Sequence, residues 1–498
     1  MTCHRIARLS IVPLLFVPLF AATALQAAVK PHALFSDDAV LQQGMKVPVW
    51  GTANDGEKVT VKIQGQEVTT TAKDGKWRVD LAPLKTGGPF ELTIAGENTI
   101  TLKNVLVGEV WIASGQSNMV WSVKECGDAE RTIAGSANPQ IRLFTVPRQG
   151  KPQPQSDVTG AWSECGPTTV TGFSAVAYCF GRDLQQQLKV PVGLISTNVS
   201  GTPAESWTSR KALEANPALK SLVVDPASNK PKDTSGLYNA MIHPLIPYAI
   251  RGAIWYQGES NAGRAYEYRT LFPAMISDWR AAWGQGDFTF LLVQLAPFMP
   301  VGREQSGMRV EHRDGKIQLV PFKQTVLEPS ESDWAELREA QLLATQVLPN
   351  VAMAVITDVG DERNIHPPRK APVGARLALA ARAVAYGEPV EFSGPVYYQQ
   401  KIDGNHIVLE FKHSDGGLVA KDGPLTGFTI AGADKKFVHA QAEIKGDTVV
   451  VSSPEVKAPV AVRFGWWNYP VVNLWNKADL PASPFRTDDF PLTTAPKK

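Results

Sequence analysis

The chain has 498 residues, which is enough for two or three domains and a large hydrophobic core. Its 50 lysines and arginines nearly balance its 48 aspartates and glutamates. This balance argues against a nucleic acid or an anionic membrane surface as the partner.

The first 28 residues have the pattern of a secretory signal peptide. A basic start is followed by the short apolar run Ile11–Ala22 and then by small residues, which predicts cleavage after Ala27 or Ala28. The apolar run is too short to span a bilayer comfortably, and no other long apolar segment follows. We therefore expect an exported protein, periplasmic or extracellular, without a membrane span.

Three cysteines follow the predicted cleavage site. Cys126 and Cys165 lie in polar, loop-like sequence and are candidates for a disulfide bond, which export would permit. Cys179 lies in an apolar helical run and is expected to be a buried free thiol. Three cysteines allow three single pairings, so the spacing leaves the pairing open.

Residues 29–104 are predicted to form a small β-sandwich. Short alternating runs such as KVTVKI and WRVDL are separated by turn signals such as Asn54-Asp55-Gly56. Such a domain either binds carbohydrate or supports the rest of the fold. The second reading is favoured, because no exposed aromatic cluster stands out in the sequence.

Residues 105–387 alternate strands and helices, a pattern that predicts an α/β domain with a mostly parallel sheet and helices on both faces. The predicted strands are VWIAS, QIRLFTV, VGLIST, AIRGAIWYQ, FTFLLVQLA and VAMAVITD. The predicted helices are Ala175–Leu188, Tyr266–Trp283, Trp334–Val347 and Gly374–Tyr386. A polar stretch at about 299–331 is expected to be a surface insertion, and residues 388–498 return to short strands as a C-terminal β region.

The stretch from 107 to 121 reads VGEVWIASGQSNMVW and contains the candidate nucleophile, Ser117. The apolar run Val105–Ile112 predicts a buried strand, and a small turn containing Gly115 follows it. A strand that stops at such a turn can present one side chain at the carboxyl edge of the sheet, where α/β folds bind ligands. A backbone N–H of the turn can also face a developing oxyanion. The structural alternative is an ordinary strand-to-helix turn.

Three blocks follow one another along the chain: GQSNM, YQGESNA (Tyr256–Ala262) and NIHPPRK (Asn364–Lys370). They resemble the blocks of the sialate O-acetylesterase family, carbohydrate esterases of the SGNH/GDSL hydrolase class, and flanking segments such as SGTPAESW extend the resemblance over nearly all of the mature chain. The resemblance implies an SGNH-like fold and a serine esterase that removes O-acetyl groups from sugars, sialic acids first, through an acetyl-enzyme intermediate. Two alternatives stay open: an acetylesterase acting on xylan or another polysaccharide, and a non-catalytic glycan-binding protein on the same fold.

His366 is the candidate general base. It follows the predicted strand VAMAVITD, so its loop is expected to open at the same edge of the sheet as Ser117. His243 precedes a predicted strand and is expected near the opposite edge, as a structural histidine. The resemblance assigns the base to the same I-H-P block.

The acid that orients His366 is the position at which this chain departs from the common pattern. Many SGNH enzymes carry Asp three residues before the histidine, but here Arg363 stands there, and arginine cannot accept an imidazole N–H. Asp361, in the same loop, is the preferred candidate. Asp358 at the strand end is the alternative, Glu362 is a weaker third, and a backbone carbonyl could serve instead.

The resemblance implies three oxyanion donors: the backbone N–H groups of Ser117 and Gly201 and the side-chain amide of Asn261. A helix N-cap is the structural alternative for Asn261. An asparagine amide is a fixed neutral donor, which suits stabilisation of a tetrahedral intermediate.

Three further residues are candidates for substrate binding. Gln116 and Glu259 are expected either to orient loops or to bind sugar hydroxyls, and Trp207 either lines the sugar face or fills the core. The sequence contains no CxxC pair, HExxH, GxGxxG or Walker pattern, so no metal and no other cofactor is expected. The expected partner is an O-acetylated sugar or glycan, and the sequence does not indicate an oligomeric state.

Overall fold

The computed structural model describes residues 1–2, 28–224, 233–299, 308–313, 316–321, 328–414 and 416–496, with 308–313 and 316–321 described only at the level of the backbone. The predicted signal peptide lies almost entirely outside the described residues, and about half of the predicted insertion at 299–331 lies outside them as well. The described part of that insertion includes one antiparallel strand pair.

The N-terminal part is built from short strands. They are β1 (Lys30–Pro31), β2 (Val40–Gln42), β3 (Val47–Thr52), β4 (Lys58–Ile63), β5 (Gln66–Thr71), β6 (Lys76–Leu81) and β7 (Gly87–Ala95). One sheet has the order β1-β3-β6, and β4 pairs with β5 and β7 in a second. In β4, Val59, Val61 and Ile63 are buried while their neighbours are more exposed, as expected of a strand with one face on a core.

The strand β8 (Thr99–Gly115) is 17 residues long and joins the N-terminal part to the central sheet. Its first half pairs antiparallel with β7, and its second half is a strand of the central sheet. The predicted domain boundary after residue 104 therefore falls inside one continuous strand. Asn104 has a left-handed φ of +57°, and the pairing with β7 shifts register beside it, so the strand is interrupted by one residue there but does not end.

The remaining strands of the central region are β9 (Asn138–Thr145), β10 (Ser163–Cys165), β11 (Val192–Asn198), β12 (Gly252–Tyr256), β13 (Thr289–Val293), β14 (Met308–Arg313), β15 (Lys316–Pro321) and β16 (Val351–Ala354). The central sheet has the order β10-β9-β11-β8-β12-β13-β16. It is mixed, because β10 is antiparallel at the edge while β9, β11, β8, β12, β13 and β16 are parallel. These six parallel strands are the six predicted from the sequence.

The α-helices are α1 (Ser117–Val120), α2 (Ala129–Ala134), α3 (Pro167–Val170), α4 (Ala175–Leu188), α5 (Arg210–Ala215), α6 (Ala265–Trp283), α7 (Asp333–Val347) and α8 (Ala371–Val384). The four long helices confirm the predicted ones, with ends shifted by at most three residues. Short 3₁₀ turns include Val123–Glu125, Ala204–Trp207 and Glu259–Arg264. Within the described residues, every helix is too short or too polar to cross a membrane.

The two faces of the central sheet pack against different helix pairs. Trp111 and Ala113 of β8 belong to the apolar layer that contains α4 and α8. Val110 and Ile112, which alternate with them, face the layer that contains α6 and α7. Because both faces are covered, the strands are continuously apolar, as is usual for parallel sheets.

The C-terminal part returns to short strands: β17 (Val396–Asp403), β18 (His406–Lys412), β19 (Leu418–Ala420), β20 (Phe428–Ala431), β21 (Phe437–His439), β22 (Gln441–Lys445), β23 (Thr448–Ser452), β24 (Ala461–Phe464), β25 (Leu474–Asn476) and β26 (Phe485–Arg486). They form the sheets β17-β18-β23-β22, β21-β20-β24-β26 and β19-β25 around their own apolar core. Arg338 of α7 ties this part to the central one, since its guanidinium donates to the carbonyl oxygens of Trp467 and Asn468 at 2.8 and 2.9 Å.

Cys126 and Cys165, the candidate pair that the spacing left open, form no disulfide bond and are both free thiols. Each sulfur faces a carbonyl instead: Cys165 Sγ donates to Ser136 O at 3.3 Å and Cys126 Sγ to Ser122 O at 3.8 Å. Cys179 is a buried free thiol, as predicted. Burial raises the pKa of Cys165 and of Cys179 to about 12, so these thiols stay protonated.

Candidate active site

The register of the central sheet brings three loops together at the end of β8. Asn198, the last residue of β11, is paired with Gly115, and so is Tyr256, the last residue of β12. The carboxyl ends of these parallel strands therefore lie side by side. The loops that follow them carry Ser117, Gly201 and Asn261, which were predicted to act together.

The turn that carries Ser117 depends on Gly115. This glycine has φ +136°, and a Cβ there would lie 2.2 Å from the Tyr256 carbonyl oxygen, so only glycine fits. The chain then enters α1, with Ser117 as its first residue. Ser117 is half-buried, and its Oγ forms no hydrogen bond within the described part of the chain. The hydroxyl is thus available at the carboxyl edge of the sheet.

Gln116 stabilises this turn through hydrogen bonds to the end of β12 and to the loop that follows it. Its backbone N–H donates to Tyr256 O at 2.9 Å, and its side-chain Oε1 accepts from the N–H of Ser260 at 3.2 Å. The residue is 2% exposed. These bonds fit the expected role of orienting loops.

Asn261 lies inside the 3₁₀ turn Glu259–Arg264, whose N-cap is Gly258, so Asn261 is not a helix cap. Its Oδ1 accepts from Ala204 N at 2.9 Å and from Gln257 Nε2 at 2.6 Å, and its Nδ2 donates to Glu205 Oε2 at 3.1 Å. These bonds orient the amide and leave a second Nδ2 hydrogen for another acceptor.

Gly201 lies three residues beyond the end of β11, in the loop beside the nucleophile turn. Its φ of +67° is left-handed, which favours glycine at this position. The loop is joined to β8 by the Val199 N–H, which donates to Gly115 O at 3.1 Å.

Trp207 fills the core, and the expectation that it lines the sugar face is contradicted. Its side chain is fully buried, with Nε1 donating to Thr202 Oγ1 at 3.0 Å. Its ring packs edge-on against Trp255 with centroids 5.9 Å apart. It therefore presents no face to a ligand.

His366 lies in the loop between β16 and α8 and returns to the nucleophile turn. Its imidazole is half-buried and stacks on Trp121, with ring centroids 5.3 Å apart. Next to it, Ile365 O accepts a hydrogen bond from Asn118 Nδ2 at 3.0 Å. Since Asn118 follows Ser117 directly, this bond joins the loop of the candidate base to the turn of the candidate nucleophile. No hydrogen bond links Ser117 Oγ to the imidazole within the described residues, and such bonds are often long in the absence of substrate.

The pKa of His366 lies below its ordinary value, mainly because of burial and secondly because of Lys370, while Glu125 opposes the shift. A lowered pKa keeps the imidazole neutral near pH 7, as a general base requires. His243, by contrast, faces the Gln155 carbonyl oxygen with Nδ1 at 2.8 Å and lies ahead of β12.

Neither candidate acid reaches the imidazole. Asp361 Oδ1 accepts from the N–H groups of Arg363 and Asn364, both at 2.9 Å, and so closes a local turn in its own loop. The Asp358 carboxylate pairs with both Nη atoms of Arg376, at 2.6 and 2.9 Å. The structure does not bring either carboxylate to His366 within hydrogen-bonding distance in the described chain.

Sequence reasoning missed a buried polar cluster behind the turn. Glu259 Oε1 accepts from Asn118 Nδ2 at 2.6 Å, and Lys370 Nζ donates to Asn118 Oδ1. The second oxygen of Glu259 is buried without a hydrogen-bond partner among the described residues. One carboxylate oxygen of Glu259 is thus bound to Asn118 and the other is buried, although the residue as a whole is half-buried, and the Asn118 contact fits the expectation that Glu259 orients loops. Asn118, Glu259 and Lys370 all lie in the three blocks quoted above, but nothing in the sequence indicated that they touch.

No group of three or more histidine, cysteine or acidic side chains is placed to hold a metal ion within the described residues. The residues around Ser117 form an arrangement of hydroxyl, imidazole and amide donors.

A serine hydroxyl, an imidazole and an amide at the carboxyl edge of a mostly parallel sheet fit a carboxylic ester hydrolase. Residues 107–382 match the family described as carbohydrate esterase, sialic acid-specific acetylesterase, and the chain belongs to this family. It is 34% identical over 393 residues to the sialate O-acetylesterase of Homo sapiens, with 72% of each chain covered. It is 33% identical over 489 residues to that of Rattus norvegicus, with 85% of this chain and 86% of the relative covered.

A solved structure is also similar. The crystal structure of a carbohydrate acetylesterase from Xanthomonas citri superimposes with a TM-score of 0.83 at 38% identity, covering 93% of this chain and 100% of that one. The likeness therefore extends beyond the central sheet to the N- and C-terminal parts.

Proposed function

We propose that this protein is an exported serine esterase with an SGNH-hydrolase-like fold that removes O-acetyl groups from sugars, sialic acids first. The observation that carries the proposal is the free Ser117 hydroxyl at the carboxyl edge of the sheet. The loop that carries His366 lies beside it and is hydrogen-bonded to Asn118 through the Ile365 carbonyl oxygen. The sugar is inferred from the relatives, which are named sialate O-acetylesterase and carbohydrate acetylesterase.

The proposed reaction has two steps. Ser117 Oγ attacks the acetyl carbonyl carbon while His366 accepts the hydroxyl proton. The oxyanion accepts hydrogen bonds from the Ser117 and Gly201 N–H groups and from Asn261 Nδ2. The intermediate expels the sugar oxygen, which takes the proton from His366. Water, deprotonated by His366, then attacks the acetyl-enzyme and releases acetate, and the proton returns to Ser117.

Asp361 is the proposed partner that orients His366. Its two hydrogen bonds go to exposed backbone N–H groups, which water can satisfy if the loop rearranges on substrate binding. Asp358 would have to leave a bidentate pair with Arg376, which is a stronger interaction. The alternative is a dyad in which a backbone carbonyl holds the imidazole.

Two arginines favour an acidic sugar over a neutral one. Arg148 Nε donates to the carbonyl oxygen of Asn198 at 3.1 Å. Asn198 is the last residue of β11, which is the neighbour of β8, so this exposed guanidinium lies at the same edge of the sheet as Ser117. Arg369, also exposed, lies three residues after His366, and its Nη1 donates to Asp358 O at 3.4 Å. Neither forms an ion pair with any residue the structure describes. A sialic acid carboxylate would supply a partner, whereas the unsubstituted xylan backbone has none.

The decisive test is acetate release. The mature enzyme would be assayed on O-acetylated sialic acid, on acetylated xylo-oligosaccharides and on 4-nitrophenyl acetate, with Ser117→Ala as the control. We expect turnover that favours the sialic acid and that falls by ~10³-fold or more in the folded variant. If the wild-type protein binds acetylated sugars without releasing acetate, it is a glycan-binding protein. If it prefers the xylo-oligosaccharide, the assignment of sialic acid as the preferred substrate is wrong.

Export is tested separately. N-terminal sequencing of the protein secreted by a bacterial host is expected to begin at Ala28 or Val29, one residue after the predicted cleavage sites. A cytoplasmic product that retains Met1 would contradict the proposed export.

A further inference from the structure

A buried polar cluster lies directly behind the nucleophile turn and takes no part in the reaction described above. It consists of Asn118, Glu259 and Lys370, and is called here the Asn118 cluster. Asn118 lies in α1, Glu259 lies in the 3₁₀ turn after β12, and Lys370 is the N-cap residue of α8. Asn118 is 0% and Lys370 1% exposed. Burying an ammonium group is costly unless it is well partnered, so its presence here calls for a reason.

Asn118 is the centre of the cluster, and all of its side-chain hydrogen-bonding groups are used. Its Oδ1 accepts from Lys370 Nζ, and its Nδ2 donates to Glu259 Oε1 at 2.6 Å and to Ile365 O at 3.0 Å. The cation fixes the orientation of the amide, because only Oδ1 can face an ammonium group. The two Nδ2 hydrogens must then point at the carboxylate and at the loop of His366.

Two aromatic rings enclose the ammonium group. Lys370 Nζ lies 5.7 Å from the centroid of Trp121 and 5.4 Å from that of Tyr256, which stabilises the cation. The ring of Trp121 also stacks on His366. Lys370 therefore contacts both supports of His366: the tryptophan on which the imidazole stacks, and the amide that binds the neighbouring carbonyl.

We infer that Lys370 is a positioning residue of the esterase: through Asn118 its buried ammonium group holds the His366 loop against the Ser117 turn. The inference rests on the proposed roles of Ser117 and His366.

The charge of Lys370 depends on pH. Burial lowers the pKa of Lys370 to about 7, and the charge of Glu259 opposes that change, so the ammonium form is present below about pH 7 and is lost progressively above it. Burial also raises the pKa of Glu259, while its contacts with Asn118 and Lys370 favour the ionised form. At His366 the charge of Lys370 lowers the pKa and that of Glu125 raises it. Removal of the ammonium group should therefore raise the pKa of His366.

The test replaces Lys370 by methionine, which matches its length without charge or donor, and by glutamine, which keeps a donor without charge. Lys124→Met is the matched control, because Lys124 is an exposed cation in the neighbouring turn beside Glu125. The values of kcat and KM for 4-nitrophenyl acetate would be measured across pH, with thermal unfolding as the measure of folding.

For Lys370→Met we expect kcat to fall by up to ~10²-fold with KM little changed, since misplaced groups cost turnover more than binding. The acidic limb of kcat/KM should move to higher pH. Lys370→Gln should show the same displaced limb with a smaller loss of kcat, and Lys124→Met should leave both unchanged. If Lys370→Met does not fold, Lys370→Met with Glu259→Gln removes both charges of the cluster at once and carries the same expectation for the limb.

An unchanged limb in the folded variants, with or without a loss of kcat, overturns the inference, because a merely structural lysine would not alter the titration of His366. A wild-type protein that hydrolyses no acetyl ester overturns the proposed function instead, so the two failures are distinguishable.

Discussion

The side-chain amide of Asn118 donates to the carbonyl oxygen of Ile365 at 3.0 Å, and this bond joins two loops that are almost 250 residues apart in the chain. One loop follows β8 and carries Ser117, and the other follows β16 and carries His366. Between β8 and β16 the sheet contains β12 and β13, so the second loop must cross the ends of two strands to reach the turn that carries Ser117. Through this contact the loop that carries His366, the proposed base, is held beside the turn that carries Ser117.

The first prediction is the pH dependence of the wild-type enzyme. Because burial and Lys370 lower the pKa of His366, the imidazole loses its proton at a lower pH than an ordinary histidine. The acidic limb of kcat/KM should therefore lie below pH ~6.5. A pH profile on 4-nitrophenyl acetate checks this, and a limb above that value would contradict the assignment of His366 or its environment.

The second prediction separates two histidines. His366→Ala should reduce turnover by ~10³-fold or more, because the base is lost. His243→Ala should leave kcat unchanged and lower the free energy of unfolding by about 1 kcal/mol, since its contact with the Gln155 carbonyl is removed. Steady-state kinetics and urea unfolding of both variants provide the measurement. The opposite pattern would mean that the base belongs to the other edge of the sheet.

The third prediction concerns Asn261, whose amide is held by Ala204, Gln257 and Glu205. Asn261→Ala should lower kcat by ~10²–10³-fold with a smaller effect on KM, as expected of a donor that acts on the transition state. Asn261→Asp serves as the comparison, since it keeps the shape but replaces the donor by an oxygen. Turnover within twofold of the wild type in both variants would remove Asn261 from the oxyanion site.

The fourth prediction addresses the charge of the substrate. Arg148→Gln should lower kcat/KM for O-acetylated sialic acid by ~10-fold or more, the cost of one charge-assisted hydrogen bond, and leave 4-nitrophenyl acetate unaffected. The methyl ester of the same sialic acid, which lacks the charge, should lose this sensitivity. Arg78→Gln, at an exposed arginine paired with Asp80 in the N-terminal part, is the matched control. Equal losses on charged and methylated sugar would show that Arg148 does not read the carboxylate.

The central sheet could be predicted from the sequence because its strands are long apolar runs and its helices are long and amphipathic. Ala175–Leu188, for example, begins after Ser174, whose Oγ accepts from Ala177 N, and ends at Lys189. The grouping of Ser117, Gly201 and Asn261 was implied by the family resemblance, and the structure places each just beyond the carboxyl end of a parallel strand. The continuity of β8 across residue 104 was missed, because an alternating run and an apolar run read as two separate strands.

Side-chain partners within loops could not be predicted in the same way. Cys126 and Cys165 are both free, and each thiol faces a carbonyl oxygen whose position depends on the folded chain. Trp207 reads equally well as a surface or an interior residue, and its burial depends on packing against Trp255, which is distant in the sequence. The Asp361 carboxylate accepts hydrogen bonds from the backbone N–H groups two and three residues ahead. These groups compete with His366 for the carboxylate, and the spacing between Asp361 and His366 does not reveal this.

The last prediction concerns the acceptor that orients His366. Asp361→Asn keeps the shape of the side chain but removes the charge that would stabilise the imidazolium. We expect turnover to fall by ~10²-fold, less than in a serine protease, because the loop must first release Asp361 from the N–H groups of Arg363 and Asn364. Asp358→Asn should instead cost about 1.5–3 kcal/mol of stability through the lost pair with Arg376, with little effect on turnover per folded molecule. Kinetics normalised to the folded fraction decide between them: a larger loss of turnover in Asp358→Asn exchanges the two roles, and an undiminished rate in both variants leaves His366 held by a backbone carbonyl in a Ser-His dyad.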